Sequence, residues 1–233
     1  MLNRREFATK DIVLTALAAA LLSAGKQALA AIPNIEVVTL FIMLYAACFK
    51  PHISFIATAI FIVIECFIWG INTWVFAYLI HWNLLALFAF LLARVFKVRN
   101  RFIYLAFTIV MTALFGVLTS LIDALVGWAK TGLSFFTLFT AIYVRGIYFY
   151  IVHVVGNAAI NLVLFAPMRT LLDKLMIKYY GRDVFLKEED AAKVVKREEQ
   201  GEVSPLELTE ASKSDTIDKV AETEEGRTNN SKR

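Results

Sequence analysis

Apolar stretches long enough for a bilayer alternate with short polar or proline-bearing breaks along residues 11–182 of this chain. One of them carries polar residues at a helical interval. Within Tyr143–Leu172, Arg145, His153, Asn157 and Asn161 stand at multiples of four. At 3.6 residues per turn they form a slowly drifting polar stripe on a helix otherwise suited to lipid. Polar groups are costly in hydrocarbon, so the stripe is expected to face other helices or a cavity.

Taken in order, the breaks predict six membrane helices, at roughly 20 residues per crossing. The first covers about Asp11–Ala31 and is broken by Pro33-Asn34. The second, Ile35–Phe49, is short for a full crossing and is expected to be tilted or irregular. Lys50-Pro51-His52 turns the chain into a third helix, Ile53–Trp69, and Gly70-Ile71-Asn72 leads to a fourth, Trp74–Phe96. A basic loop, Lys97–Arg101, precedes the fifth, Phe102–Val126. Gly127–Thr140 reads as a longer connection and a candidate lid, with glycine hinges and Phe135 and Phe136 as its cover. The sixth helix starts near Ala141 and reaches Phe165, with Pro167 marking its end. The basic Met1–Lys10 and apolar Ile12–Ala24 have the outline of a signal peptide. The apolar run continues to Ile32 with unbroken spacing, so the segment reads as a retained first helix.

Composition gives the same class. Hydrophobic residues make up 59 % of the 233, and the mean hydropathy is +0.64, well above a soluble domain. The expected fold is an all-α, polytopic membrane protein. The net charge of +4 conceals two halves. Residues 1–182 hold 15 Lys/Arg against 6 Asp/Glu, and residues 183–233 hold 9 against 14. The basic excess therefore flanks membrane helices and gives no reason to invoke nucleic acid. The organisation expected is an N-terminal segment over 1–10, a membrane domain over 11–182 and a charged, disordered tail over 183–233. A short helix at Glu188–Glu199 is one option within that tail.

Positive charge sets the orientation. Arg4, Arg5 and Lys10 precede the first helix, Lys50 follows the second, and Arg94, Lys97, Arg99 and Arg101 follow the fourth. Arg169, Lys174, Lys178 and Arg182 flank the sixth, whereas the other three connections share only Lys130. Both termini are expected in the cytoplasm of a bacterial cell. Cys48 and Cys66 fall at opposite membrane ends, too far apart for a disulfide, and no zinc pattern occurs.

The ionisable residues inside the helices are unevenly placed by depth. Lys26, Glu36, Glu65, His81, Asp123 and Arg145 fall in the outer halves, His153 lies near the midplane, and the inner halves have almost none. Trp74, Tyr78, His81 and Trp82 share one face of the fourth helix, at i, i+4, i+7 and i+8. Apolar and aromatic walls with a few fixed polar groups suit a small, partly flat, polar solute. The expected contacts are Lys26, Glu36, Glu65, Asn72, Trp74, Tyr78, His81, Asp123, Arg145 and Asn157, with no metal or cofactor. Plainer roles exist for several. Lys26 and Arg145 also fit snorkelling to headgroups, Glu36 and Asp123 fit interface caps, and Trp69, Trp74 and Trp128 sit at belt depth. His153, Asn157 and Asn161 fit interhelical hydrogen bonds. On the inner side of the first helix, Ala16, Ala20 and Ala24 repeat every four residues, a pattern that suits internal packing or a partner's close approach.

Three motifs in this order carry a family resemblance over about residues 8–176. They are TALAAALLSA in the first helix, Ala31-Ile32-Pro33-Asn34-Ile35-Glu36 before the second, and Gly156-Asn157 leading to LVLFAPM. The chain resembles the substrate-binding S components of energy-coupling factor (ECF) transporters, in particular the branch with an IPN-[IV]-E segment. The resemblance implies a six-helix protein that captures a vitamin or similar micronutrient on its outer side. It implies docking through Ala16, Ala20 and Ala24 on a transmembrane coupling protein, itself joined to two ATPase subunits, and toppling to release solute inside. It also implies that this chain is not an enzyme. No GxxxxGK[ST] phosphate loop occurs in the sequence, so ATP falls to the partners. The tail after Arg182 departs from the family, whose members commonly end soon after the sixth helix.

Two other classes compete. An intramembrane hydrolase would use His153, Asn157 and Glu65, but the paired glutamates of the prenyl-protein protease group are missing and such a site needs several groups in register. A stand-alone secondary transporter is disfavoured by the lack of internal duplication.

Overall fold

The structure is a computed structural model, and it describes residues 9–180. Six α-helices appear: α1 Thr9–Ala28, α2 Val38–Cys48, α3 Pro51–Trp69, α4 Thr73–Phe90, α5 Arg101–Thr131 and α6 Phe135–Tyr180. Among the described residues there is no strand. Five of the six helices are long and apolar enough to cross a membrane; α2 is the exception. The chain forms two units, Met1–Met176 and Ile177–Arg233. Of the second unit only Ile177–Tyr180 is described, as helix. The tail and its optional helix at Glu188–Glu199 lie outside the described residues.

Within the first unit α1 packs on α3, α2 on α4, and α4 on α3 and α5. Ten of the eleven residues of α2 are buried, so this helix is core on every side. At 1.5 Å per residue it is only about 16 Å long, roughly half the hydrocarbon thickness. The non-helical stretch 29–37 links it to α1. The buried Asp11, near the start of α1, contacts Lys50 Nζ at 3.2 Å and His52 Nε2 at 3.0 Å. By Phe49 the chain has therefore returned to the level where α1 began. Arg94 closes the same end by donating from Nη2 to the Phe49 carbonyl at 2.9 Å. It sits in a π-helical turn, Leu91–Val95, that ends the fourth helix.

Two expectations about the last third of the chain are corrected. Gly127–Thr140 is not a long loop: α5 runs on to Thr131 and only residues 132–134 connect it to α6. Gly132 is the true stop, left-handed at φ 69°, whereas Gly127 stays helical and packs near Leu138. Phe135 and Phe136 open α6, so no flexible lid exists there. Nor does Pro167 end the sixth helix, which continues to Tyr180. A proline deletes one intrahelical bond, a loss that membrane helices tolerate.

The alanine stripe faces outward. Ala16, Ala20 and Ala24 are exposed beside Leu17 and Leu21, while Leu14, Ala18, Ala19 and Leu22 pack inside. Packing within the first unit therefore does not account for the three spaced alanines.

Candidate functional site

At the end of the bundle away from Asp11 and Lys50, the helices part around a cavity of about 570 Å³. Every α-helix except α2, together with the 29–37 stretch, contributes to its wall. Lys26 comes from α1, the 29–37 stretch supplies Asn34 and Glu36, and Glu65 and Trp69 end α3. Trp74 and Tyr78 open α4, Phe115, Thr119 and Asp123 stand at intervals of four on α5, and Gly146, Tyr150 and His153 come from α6.

The floor is an aromatic slab. Phe61 and Trp82 are fully buried with ring centroids 6.5 Å apart, and Phe115 lies 5.8 Å from Trp82 and 5.4 Å from His153. Beneath it Leu85, Ala86 and Ala89 are fully buried, and Thr108 meets Met43 at 3.6 Å. The cavity is a cup with a packed base.

Lys26 is the organising cation of one wall. Its Nζ lies 2.5 Å from Glu65 Oε2, donates to the Tyr78 hydroxyl at 2.7 Å, and sits 4.0 Å from the centre of that ring. Gln27 donates to the other oxygen of Glu65 at 3.3 Å. Both side chains are largely buried, at 14 % and 1 % exposure, and both line the cavity.

The opposite wall is built by contact between two of the motifs read in the sequence. The 29–37 stretch turns at Asn34, in the left-handed region at φ 61°, which asparagine tolerates better than most residues. The turn aims the Asn34 carbonyl at His153 Nδ1, 3.2 Å away. Gly156, one turn along α6, leaves room for Ile35; a Cβ there would stand 3.2 Å from Ile35 Cγ1. Gly25 of α1 does the same for Val37 and Phe41. Pinned at both sides, the stretch carries Glu36 inward until its Oε1 is 3.8 Å from His153 Nε2. Both of these atoms are buried and neither has a hydrogen-bond partner.

Of the residues expected to contact solute, Lys26, Glu36, Glu65, Asn72, Trp74, Tyr78 and Asp123 line the cavity, and three do not. His81 is buried in the floor, its ring 4.7 Å from Trp82 and 4.8 Å from Phe115. Asn157 lies one turn below the wall and donates to the His153 carbonyl at 3.0 Å, so it positions His153. Arg145 flanks only a shallow surface hollow with Phe136 and Val144. Eight residues at 100° each leave it about 80° around the helix from His153, whereas seven residues leave Gly146 only about 20° away. Asn34, Phe115, Thr119, Tyr150 and His153 complete the wall although they were not among the expected contacts. Thr119 and Phe115 sit at i−4 and i−8 from Asp123, a spacing that was available in the sequence.

Asn72 holds a second position. Its Oδ1 accepts from the backbone N–H groups of Trp74 at 2.8 Å and Val75 at 3.4 Å, capping α4. Asn72→Ala is expected to lower stability by about 1 kcal/mol, and Asn72→Ser to restore most of it. The check is the thermal midpoint in detergent. A serine variant as weak as the alanine variant would show that the side chain does something other than cap.

No family model, curated protein or solved structure matches the chain. The geometry must carry the functional reading.

Proposed function

We propose that this chain is the solute-capture (S) subunit of an ATP-driven ECF-type importer, holding a vitamin or similar micronutrient in an outward-facing cup. The observation that carries the reading is the cup itself: a cavity of about 570 Å³ with charged and aromatic walls, closed below by packed rings. That volume lies within the ordinary range of small-molecule sites. A channel would need a polar route through the other half of the bundle, where Leu85, Ala86 and Ala89 are fully buried instead.

The positive-inside rule orients the cup. Lys50, Arg94, Lys97, Arg99 and Arg101 cluster at the end away from it, which supports a cup open to the outside and both termini in the cytoplasm of a bacterial cell. With α2 and the 29–37 stretch counted together as one passage, the chain crosses six times. The exposed stripe of Ala16, Ala20 and Ala24 then offers a smooth face to the coupling protein, with two ATPase subunits behind it.

The test is reconstitution with and without a coupling protein and its ATPase pair. The chain alone is expected to bind solute without moving it, and uptake is expected only with all partners and ATP. Ala20→Trp should abolish uptake and co-purification of the partners while leaving solute binding intact. Accumulation or equilibration of solute through the isolated chain would instead identify a stand-alone transporter, and the proposal would be withdrawn.

A further inference from the structure

We infer that the solute carried in the cup is a cation: a flat ring system bearing a protonated amine, with the amine seated between Glu36 and His153. This rests on the capture reading and narrows it to one ligand class. Three carboxyl side chains, Glu36, Glu65 and Asp123, line the cavity against one lysine, Lys26. That lysine is already engaged by the Glu65 carboxylate and the Tyr78 hydroxyl. Neither Glu36 nor Asp123 forms an ion pair with Lys26, which is bonded to Glu65 instead. Asp123 makes no hydrogen bond or ion pair among the described residues, and the nearest charged-type group to Glu36 is His153, with Lys26 and Glu65 acting on it from farther away.

The hydrogen-bond geometry of the second wall points the same way. His153 Nδ1 lies 3.2 Å from the Asn34 carbonyl, which can only accept, so the ring proton belongs on Nδ1. Asn157 Nδ2 also approaches Nδ1, at 3.3 Å, but its amide has the His153 carbonyl at 3.0 Å to donate to. With Nδ1 protonated, Nε2 of the neutral ring is a bare acceptor. It faces Glu36 Oε1 across 3.8 Å, a second acceptor. Two buried acceptors side by side lack a donor, and a primary ammonium, with three N–H bonds, supplies one to each. The rings of Trp69, Trp74, Phe149 and Tyr150 also line the cavity and offer π-faces to a flat cation. A carboxylate solute of the same shape would meet excess negative charge and a lysine already bonded.

The experiment uses matched probes of opposite charge on the purified full chain in nanodiscs: tryptamine against indole-3-propionate, and 3-(aminomethyl)pyridine against nicotinate. Binding is read by calorimetry and thermal shift. The amines are expected to bind at least about tenfold more tightly than the acids, a difference of about 1.4 kcal/mol. Glu36→Gln is expected to remove that preference. Asp123→Asn changes a half-exposed wall residue with no bonded partner, so it tests the charge argument without a folding penalty and should weaken the amines several-fold. Tighter or equal binding of the acids would overturn the cationic assignment and leave capture standing. Amine binding indifferent to both variants would also overturn it. Binding of no probe, with no retained small molecule in native mass spectrometry, would overturn the capture reading and this inference together.

Discussion

Lys26→Ala is expected to be among the most destabilising single changes in the membrane unit, at about 3 kcal/mol. The lysine itself is not the reason. The side chain of Glu65 is only 1 % exposed, and without Lys26 a buried carboxylate keeps one hydrogen bond, from Gln27, and no countercharge. Removing one partner of a buried ion pair costs about 3–5 kcal/mol because the other charge is stranded. The lower end applies here, since Lys26 lines a cavity that admits water. Removing both charges is a different perturbation: Lys26→Met with Glu65→Gln takes the desolvation penalty away along with the attraction, and it should recover most of the loss. The measurement is the unfolding midpoint in detergent for the two single variants and the double. A double variant as weak as the sum of the singles would mean that the pair is not coupled as its 2.5 Å separation implies. The double variant also leaves the net cavity charge unchanged, so amine binding should survive it better than it survives Glu36→Gln.

The same pair shows why part of the cup was legible in the sequence. Charge in an apolar helix is so costly that it needs a partner or a cavity, and depth along each helix can be counted. Lys26, Glu36, Glu65 and Asp123 were placed on one side by that reasoning and do share one wall system. Rotation about the helix axis is harder to count. A stripe every four residues drifts by about 40° per step, which carried Arg145 off the cavity and brought Gly146 onto it. His81 had the right depth, but its ring faces Trp82 and Phe115 under the floor.

Backbone geometry was less legible still. Nothing in the composition of 29–37 announces that Asn34 adopts φ 61° and spends its carbonyl on a histidine 119 residues away. Glycine and proline misled in the last third because each has two uses. Gly132 ends α5 with a positive φ, while Gly127 permits packing inside it; Pro167 reads as a stop yet lies within α6. The shortness of α2 was legible in the sequence. The path of the non-helical stretch before it, which packs on α1 at Gly25 and on α6 at Gly156, was not.

Those ambiguities make glycine substitutions a sharp test of the packing around the cup. Gly116→Ala is expected to destabilise the protein and to weaken solute binding. A Cβ at position 116 would stand 2.7 Å from Tyr150 Cγ and 2.8 Å from Cδ1, well inside contact distance. The ring has little freedom to yield. It already lies against Gly146 of its own helix, and its hydroxyl is 2.7 Å from Ser120 Oγ. Either α5 and α6 separate or Tyr150 turns into the cavity that it lines. Overpacking of this kind costs about 1–3 kcal/mol, against a gain of at most about 1 kcal/mol from replacing a helical glycine with alanine. The steric term wins. At Gly156 the added Cβ meets Ile35 Cγ1 at 3.2 Å, with Ile35 Cβ and the Asn34 carbonyl oxygen at 3.9 Å, and a shift of a few tenths of an ångström relieves it. There the propensity gain is of the same order as the cost, and Gly156→Ala should be close to neutral. Unfolding midpoints and amine affinity for the two variants, measured side by side, decide the matter. If Gly156→Ala proves the more damaging, the inward pose of Glu36 depends on that contact far more than the Tyr150 wall depends on Gly116. The site would then be organised by the 29–37 stretch alone.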